Sequence, residues 1–273
     1  MKKTKSRTLV NLIGVPLLLG IIYLGGFYFT TLMFFAIFIC TKELDLLCEK
    51  SDISIQVLWL YLFYTLLYIT HFIKIEDIGG LLYIDLLAIA ILLILITELF
   101  RGASTPIKNI SSTIFGLIWI GIFLNSVVLI RDNYGMEITY FMFLSIWACD
   151  TFAFILGKKF GKNKIFPRIS PNKTWFGSIA GFISTLIFIV IILSIEINGI
   201  NKIDFTIVNV LIIAFIFGVI SQAGDAIESM IKREADVKDS GTILQGHGGM
   251  LDRLDSMILV SPCFYIFLKI VIN

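Results

Sequence analysis

Ser221 to Ser256 reads SQAGDAIESMIKREADVKDSGTILQGHGGMLDRLDS, a dense run of charge in a chain of 273 residues that is 58% hydrophobic and 15% charged. A helix over Gln222 to Arg233 puts Asp225, Glu228 or Ser229, and Lys232 on one face, because residues at i, i+3/i+4 and i+7 stack along a helix. A second helix is predicted from near Met250, where Asp252, Asp255 and Ser256 repeat the spacing. Two acidic faces can then meet across one site. Between them, Lys238-Asp239-Ser240-Gly241 and Gly246-His247-Gly248-Gly249 form a loop whose small residues let backbone N–H groups approach a phosphate. Carboxylates able to hold a divalent cation, with Lys and Arg beside them, suit phosphoryl or nucleotidyl transfer. A solvated loop joining two membrane helices is the plainer reading. It would not require acidic residues at helical spacing on both sides, nor Gly-His-Gly-Gly between them.

Outward from this stretch the chain is apolar, with a mean hydropathy of +0.93, far above that of soluble domains. The expected fold is an all-α polytopic membrane protein. Apolar runs place about nine transmembrane helices near 9–24, 26–41, 55–73, 81–99, 112–130, 138–156, 175–195, 205–227 and 254–272, by the rule that roughly 20 residues cross the hydrocarbon. Gly25-Gly26 alone separates the first two, so one long helix and eight spans is the alternative. The basic N-terminus (Lys2, Lys3, Lys5, Arg7) with its apolar run reads as a retained first helix, since no small-residue cleavage site stands out. A cytoplasmic N-terminus leaves only Lys74, Arg131, Lys202 and Lys269 outside among the 22 basic residues, as the positive-inside rule expects. That orientation turns the charged loops toward cytoplasmic nucleotides. The short chain with small loops fits a bacterial plasma membrane. Residues 1–273 read as a single membrane-embedded domain, with 1–135 mainly scaffold and 136–273 carrying the chemistry. The net charge of +2 gives no reason to expect nucleic acid. Cys40, Cys48, Cys149 and Cys263 lack CxxC pairing and read as buried small apolar residues. Glu43, Glu98 and His71 read as interfacial or packing residues, and Asn125 as a hydrogen-bonding partner for a neighbouring helix.

Asp150 to Gly177, DTFAFILGKKFGKNKIFPRISPNKTWFG, is the second informative passage. Asp150 lies within a predicted span with no basic residue within one turn, a costly position unless it is paired, protonated or bound to a cation. Its other reading is a structural partner for a cation on another helix. Lys158, Lys159, Lys162 and Lys164 then form a basic loop, which by itself is topology signal or attraction to anionic lipid. Ser170-Pro171-Asn172-Lys173-Thr174 precedes a span, so Lys173 with Ser170 or Thr174 sits near a helix start, a natural anion site.

Ser229-x-x-Lys232-Arg233, Lys238-Asp239-x-Gly241 and His247-Gly248-Gly249-x-x-Asp252-Arg253-x-Asp255 resemble the signature of the phosphatidate cytidylyltransferases, or CDP-diacylglycerol synthases. Asp150-x-x-Ala153-Phe154 with Gly157-Lys158, and Ile169-Ser170-Pro171-Asn172-Lys173-Thr174-Trp175-x-Gly177, resemble the second conserved region of that family. Two positions depart: Gln245 stands where the family usually carries Pro or Gly, and Phe176 where it usually carries Glu. The resemblance covers most of 150–256 and implies transfer of CMP from CTP to phosphatidate, giving CDP-diacylglycerol and pyrophosphate.

On that reading Asp225 and Asp252 are the expected metal ligands, with Asp150, Glu228 and Asp255 as further candidates. Mg²⁺ suits the hard oxygen donors, with room for a second cation. Lys173, Lys232, Arg233, Lys238 and Arg253 are expected on substrate phosphates, with Asp239 and His247 in the same catalytic loop. His247 has three open roles: a phosphate contact, a carboxylate partner, or the turn itself. Ser170, Asn172, Ser229, Gly248 and Gly249 are expected to line the substrate site. CTP, a phosphatidate lipid and the membrane are the expected partners, and a homodimer is left open. The rival readings are a CTP-dependent polyprenol or lipid kinase, and an ion-coupled transporter using Asp150, Asp225 and Asp252.

Overall fold

The computed structural model describes residues 2–73, 79–195, 199, 200, 203, 206–241 and 248–272, with backbone alone at 2–12, 73 and 79–82. The chain runs through helices α1 (Lys2–Leu24), α2 (Gly26–Lys50), α3 (Val57–Ile73), α4 (Gly79–Arg101), α5 (Pro106–Tyr134) and α6 (Met136–Phe160). A short hairpin, β1 (Lys164–Phe166) and β2 (Ser170–Thr174), leads into α7 (Trp175–Ser194), α8 (Ile207–Glu234) and α9 (Leu251–Val271). Among the described residues, six stretches are long and apolar enough to cross a membrane: Tyr83–Arg101, Pro106–Tyr134, Met136–Phe160, Trp175–Ser194, Ile207–Glu234 and Leu251–Val271. The chain is therefore an all-α polytopic membrane protein in outline. Ile13–Leu24 and Val57–Phe72 are shorter apolar helical segments.

The break between the first two helices falls at Gly25-Gly26, as the nine-span reading has it, and two other details differ from the sequence-based expectation. Gly25 and Gly26 both adopt positive φ, at 60° and 46°, a conformation that glycine takes without steric cost. The chain breaks there into α1 and α2, and the single long helix does not form. The apolar run ending near residue 41 continues as helix to Lys50, because the charged turn that follows is partnered: Lys42 Nζ lies 2.7 Å from Asp45 Oδ2, and Glu43 is buried against a distant loop. The basic loop after α6 is a two-stranded antiparallel hairpin, pairing Lys164 with Thr174 and Phe166 with Ser170. Pairing satisfies backbone groups at the bundle end that a bare loop would leave to water.

Small residues govern the closest crossings. On α6 and α7, Ala153 and Gly157 face Gly177 and Gly181, and a Cβ at Gly177 would stand 2.7 Å from the Ala153 carbonyl oxygen. Such small faces at four-residue spacing let membrane helices approach backbone to backbone. Gly224 plays the same part between α8 and α9, where a Cβ would meet the Asp255 carbonyl oxygen at 2.5 Å and Ser256 Cα at 3.1 Å. These neighbours are backbone and cannot swing aside. Gly224→Val is accordingly expected to lower the thermal midpoint in detergent, at a cost of ~1–3 kcal/mol or more; a midpoint equal to wild type would contradict this crossing.

Buried apolar side chains form two clusters. One joins α1, α2, α5, α6, α8 and α9 around Phe141, Phe217 and Phe264, whose rings meet at centroid distances of 5.5 and 4.7 Å. The other packs the second part of α2 against α3, α4 and α5 and reaches Ala235, Leu251 and Ile258. It therefore underlies the ends of α8 and α9 that carry the charged stretch. Cys40, Cys48 and Cys149 are buried free thiols, as expected, and Asn125 Oδ1 meets His71 Nε2 on α3 at 3.0 Å.

Both α5 and α8 contain a π-helical turn, at Leu117–Ile122 and Ile216–Ile220. A π-turn inserts one residue and shifts the facing of everything after it, and such turns recur at functional sites. In α8 the loosened carbonyls are taken by side chains one turn on: Ser221 Oγ donates to Phe217 O, and Gln222 Nε2 to Gly218 O, both at 2.5 Å. The charged face of Ser221–Glu234 thus starts from a register that the preceding apolar helix does not set.

Candidate active site

Asp225 sits nine residues before the end of α8 and Asp150 ten before the end of α6, so both lie roughly 14–15 Å along the helix from its end at 1.5 Å per residue. At this depth β2 delivers Lys173, because Thr174 caps α7 by accepting from Gly177 N at 3.1 Å and directs the strand over the bundle end. Lys173 Nζ reaches across to Asp225 Oδ2 at 2.8 Å and to the Gln222 carbonyl oxygen at 3.1 Å. Ser229 Oγ donates to the other oxygen of Asp225, at 3.3 Å. The helical spacing read from the sequence is realised here. Asp150 and Asp255 stand close enough to Asp225 and Lys173 to interact with their charges.

A second group lies one turn further along α8. Lys232 is 8% exposed and bridges two carboxylates, contacting Glu228 on its own helix and Asp252 Oδ1 on α9 at 2.5 Å. Glu228 is fully buried, and although the ammonium touches it, neither carboxylate oxygen receives a properly directed hydrogen bond. A buried acceptor left in that condition is costly. Asp252 is the opposite case. Its Oδ2 accepts from Gly249 N at 2.7 Å and from Ser240 N and Oγ at 3.0 Å, while Oδ1 takes Lys232. These bonds tie the first turn of α9 to both ends of the loop that precedes it.

Arg233 braces the rim: Nε donates to Ile169 O at 3.1 Å and Nη1 to Val237 O at 2.6 Å, fastening the hairpin turn to the end of α8. Lys238, Asp239, Asn172 and Arg253 are exposed around this rim, and Ser170 and Gly248 are half-buried. His247 and Gln245 lie outside the described residues. Phe176 is exposed and packs on Phe160 at a centroid distance of 5.6 Å, on the α6–α7 flank.

Glu43 and Ser240 escaped the sequence reading. Glu43, expected at an interface or in packing, is 1% exposed and accepts hydrogen bonds from Ser240 Oγ, Met250 N and Leu251 N. The only hint in the sequence was a carboxylate directly after an apolar run; nothing local joins it to residues some 200 positions later. Glu98 is indeed a packing residue, bonded to Gln56 Nε2, Asn109 Nδ2 and Arg101 Nη1 at 2.7–3.0 Å.

Segments far apart in sequence thus bring Lys173, Lys232, Arg233, Lys238 and Arg253 to one end of the bundle with the carboxylates of Glu43, Asp150, Asp225, Glu228, Asp252 and Asp255, a constellation suited to binding polyanions. The cytidylyltransferase family model matches residues 5–271 of this chain. The chain belongs to this family. Among its relatives, the phosphatidate cytidylyltransferase of Bacillus subtilis (strain 168) is 30% identical over 278 residues, covering 99% of each chain. That of Staphylococcus haemolyticus is 33% identical, covering 97% of this chain and 98% of its own. That of Thermotoga maritima is 36% identical over 178 residues, 64% of each chain. The match to the family model takes in residues 26–50 together with the charged stretch.

Proposed function

We propose that this membrane-embedded nucleotidyltransferase transfers CMP from CTP to phosphatidate, releasing pyrophosphate and forming CDP-diacylglycerol. The observation that carries the reading is the pairing of Lys173 with Asp225 and of Lys232 with Glu228 and Asp252 on successive turns of α8, in a chain that belongs to the cytidylyltransferase family. A phosphate oxygen of the lipid attacks the α-phosphorus of CTP; the new O–P bond forms as the bond from the α-phosphorus to the bridging oxygen breaks, and pyrophosphate leaves with that electron pair. A phosphomonoester is already a competent nucleophile, so no Ser or Cys nucleophile is required. The demand on the protein is to offset repulsion between two polyanions and to stabilise charge on the transferring group.

Lys173 and Lys232 meet that demand from beside the carboxylates, and Lys238, Arg233 and Arg253 from the exposed end of the bundle. Lys173 holds Asp225 in place until phosphate arrives, and Lys232 does the same for Glu228. Asp225, Asp150, Asp255 and Glu228, the last paired with Lys232, offer hard oxygen donors that fit Mg²⁺. Among the described residues no three such donors converge on one point; in this proposal the ion takes one or two of the carboxylates and completes its shell with water and substrate phosphates. When bound, such an ion supplies charge neutralisation and polarisation of the phosphoryl oxygens. Asp252 takes three donors from Ser240 and Gly249 on Oδ2 besides Lys232 on Oδ1, where Asp225 has one partner on each oxygen, and serves in this proposal as the anchor of Lys232 and of the loop ends. It is not assigned as a ligand.

The lipid's acyl chains lie in the bilayer beside the bundle. Between α5, α8 and α9 an open groove of about 650 Å³ is lined by Ile110, Ile114, Phe115, Ile227 and Leu259, and Ile227 directly precedes Glu228. We assign one acyl chain to it. The charged end of the bundle faces the cytoplasm, following the distribution of Lys and Arg.

Purified protein in detergent, given phosphatidate, Mg²⁺ and CTP labelled at the α-phosphate, is expected to move label into organic-extractable lipid with release of pyrophosphate. EDTA is expected to stop the reaction. Label remaining in water-soluble CDP would favour the kinase instead, and untouched CTP would remove the enzymatic reading.

A further inference from the structure

Glu43 lies 197 residues before Ser240, on a helix that carries none of the family signature, yet it accepts three hydrogen bonds from the loop and the start of α9. Its Oε1 accepts from Met250 N and its Oε2 from Leu251 N, both at 2.8 Å. These are amide donors at the N-terminus of α9, which have no partner within the helix, and a carboxylate there is also favoured by the helix dipole. Ser240 Oγ stands 2.9 Å from Glu43 Oε2 and 3.0 Å from Asp252 Oδ2. One hydroxyl proton serves one of those oxygens at a time, so Ser240 is the joint shared by two carboxylates. Glu43 and Asp252 thereby draw together the two ends of the loop that begins at Ser240 and returns at Gly249. The fit is tight: a Cβ at Gly241 would stand 2.5 Å from Glu43 Oε1, and one at Gly249 would stand 2.5 Å from Glu43 Cδ. Glycine at both positions is what lets the carboxylate enter.

We infer that Glu43 is a positioning residue of the transfer reaction: from the first half of the chain it fixes Ser240, Gly249 and the start of α9, so that Lys238 and the Gly248 backbone beside them are presented to the phosphates of CTP. The inference rests on the CMP-transfer reading and extends it. Residues 26–50 are then part of the catalytic apparatus, and the division into a scaffold half and a catalytic half does not hold at this helix. Glu43 touches no substrate. It acts through Ser240 and through Asp252, which in turn holds Lys232.

The test uses the full chain in detergent, with Glu43→Gln and Glu43→Ala beside wild type. Glutamine keeps the shape but turns an NH₂ group toward amide donors; alanine removes both acceptors. The KM for CTP is expected to rise about tenfold or more in Glu43→Gln while the KM for phosphatidate stays within about twofold, the sign of a lost CTP-positioning contact. A role in folding alone would lower the rate in proportion to folded protein and leave both KM values unchanged, and that result would overturn the inference. Should Glu43→Ala aggregate, Glu43→Gln carries the comparison. Amide hydrogen exchange at Met250 and Leu251 gives a readout independent of activity, expected to speed up about tenfold or more in both variants; unchanged exchange would also overturn it. If wild type makes no CDP-lipid, the functional reading fails by itself, and the exchange result still decides whether Glu43 holds the loop.

Discussion

Lys232→Met is expected to abolish CMP transfer and to destabilise the protein together. The ammonium is nearly buried and stands between Glu228 and Asp252. Removing it leaves two carboxylates facing each other with no cation between them, and breaking a buried pair in this way costs about 3–5 kcal/mol. Glu228, already without a directed hydrogen bond, loses its only neutralising contact among the described residues. The double variant Lys232→Met/Glu228→Gln separates the two effects, because it removes the uncompensated charge and retains the volume. Its thermal midpoint is expected to recover much of the loss. Its rate is expected to stay down by about 10²–10³-fold, the scale of losing one charge-stabilising donor at a transferring group. A double variant that regained both stability and rate would reduce Lys232 to a structural counter-ion.

Asp225→Asn is expected to reduce the rate by about 10²–10³-fold with little change in stability. The side chain is partly exposed, and asparagine keeps its oxygen toward Lys173 while its NH₂ group donates to the Ser229 hydroxyl, so packing is retained. What is lost is a negative charge where the proposal needs a ligand. The diagnostic is the dependence on Mg²⁺: raising its concentration should restore part of the rate of Asp225→Asn and none of the rate of Lys232→Met, since only the first variant is weakened toward the ion. Equal rescue of both, or of neither, would contradict the assignment of Asp225 to the cation.

The behaviour of these residues explains how much of the protein was legible in its sequence. Periodicity is a local property, so the helix over Gln222 to Arg233, the face shared by Asp225, Ser229 and Lys232, and the helix start beside Thr174 could all be read directly. The hydropathy of the long spans follows from a solvent that satisfies no backbone group, which forces helices wherever the chain crosses it. The family signature carried the substrates, because motif spacing reflects chemistry that residue patterns alone leave at the level of phosphate and metal.

A helical membrane protein with acidic faces on two facing helices was legible in consecutive residues, because apolar length and helical spacing are local properties. The partners of those charges came from the fold. It paired Lys173 with Asp225, turned Arg233 onto the Ile169 and Val237 carbonyls, engaged both oxygens of Asp252, and brought Glu43 to Ser240. The physical reason is that each of these contacts depends on how rigid helices cross. Those crossings are set by Gly224 against the Asp255 backbone and by the π-turn that rotates the charged face of α8, and their outcome is fixed across distances in sequence that no local pattern spans.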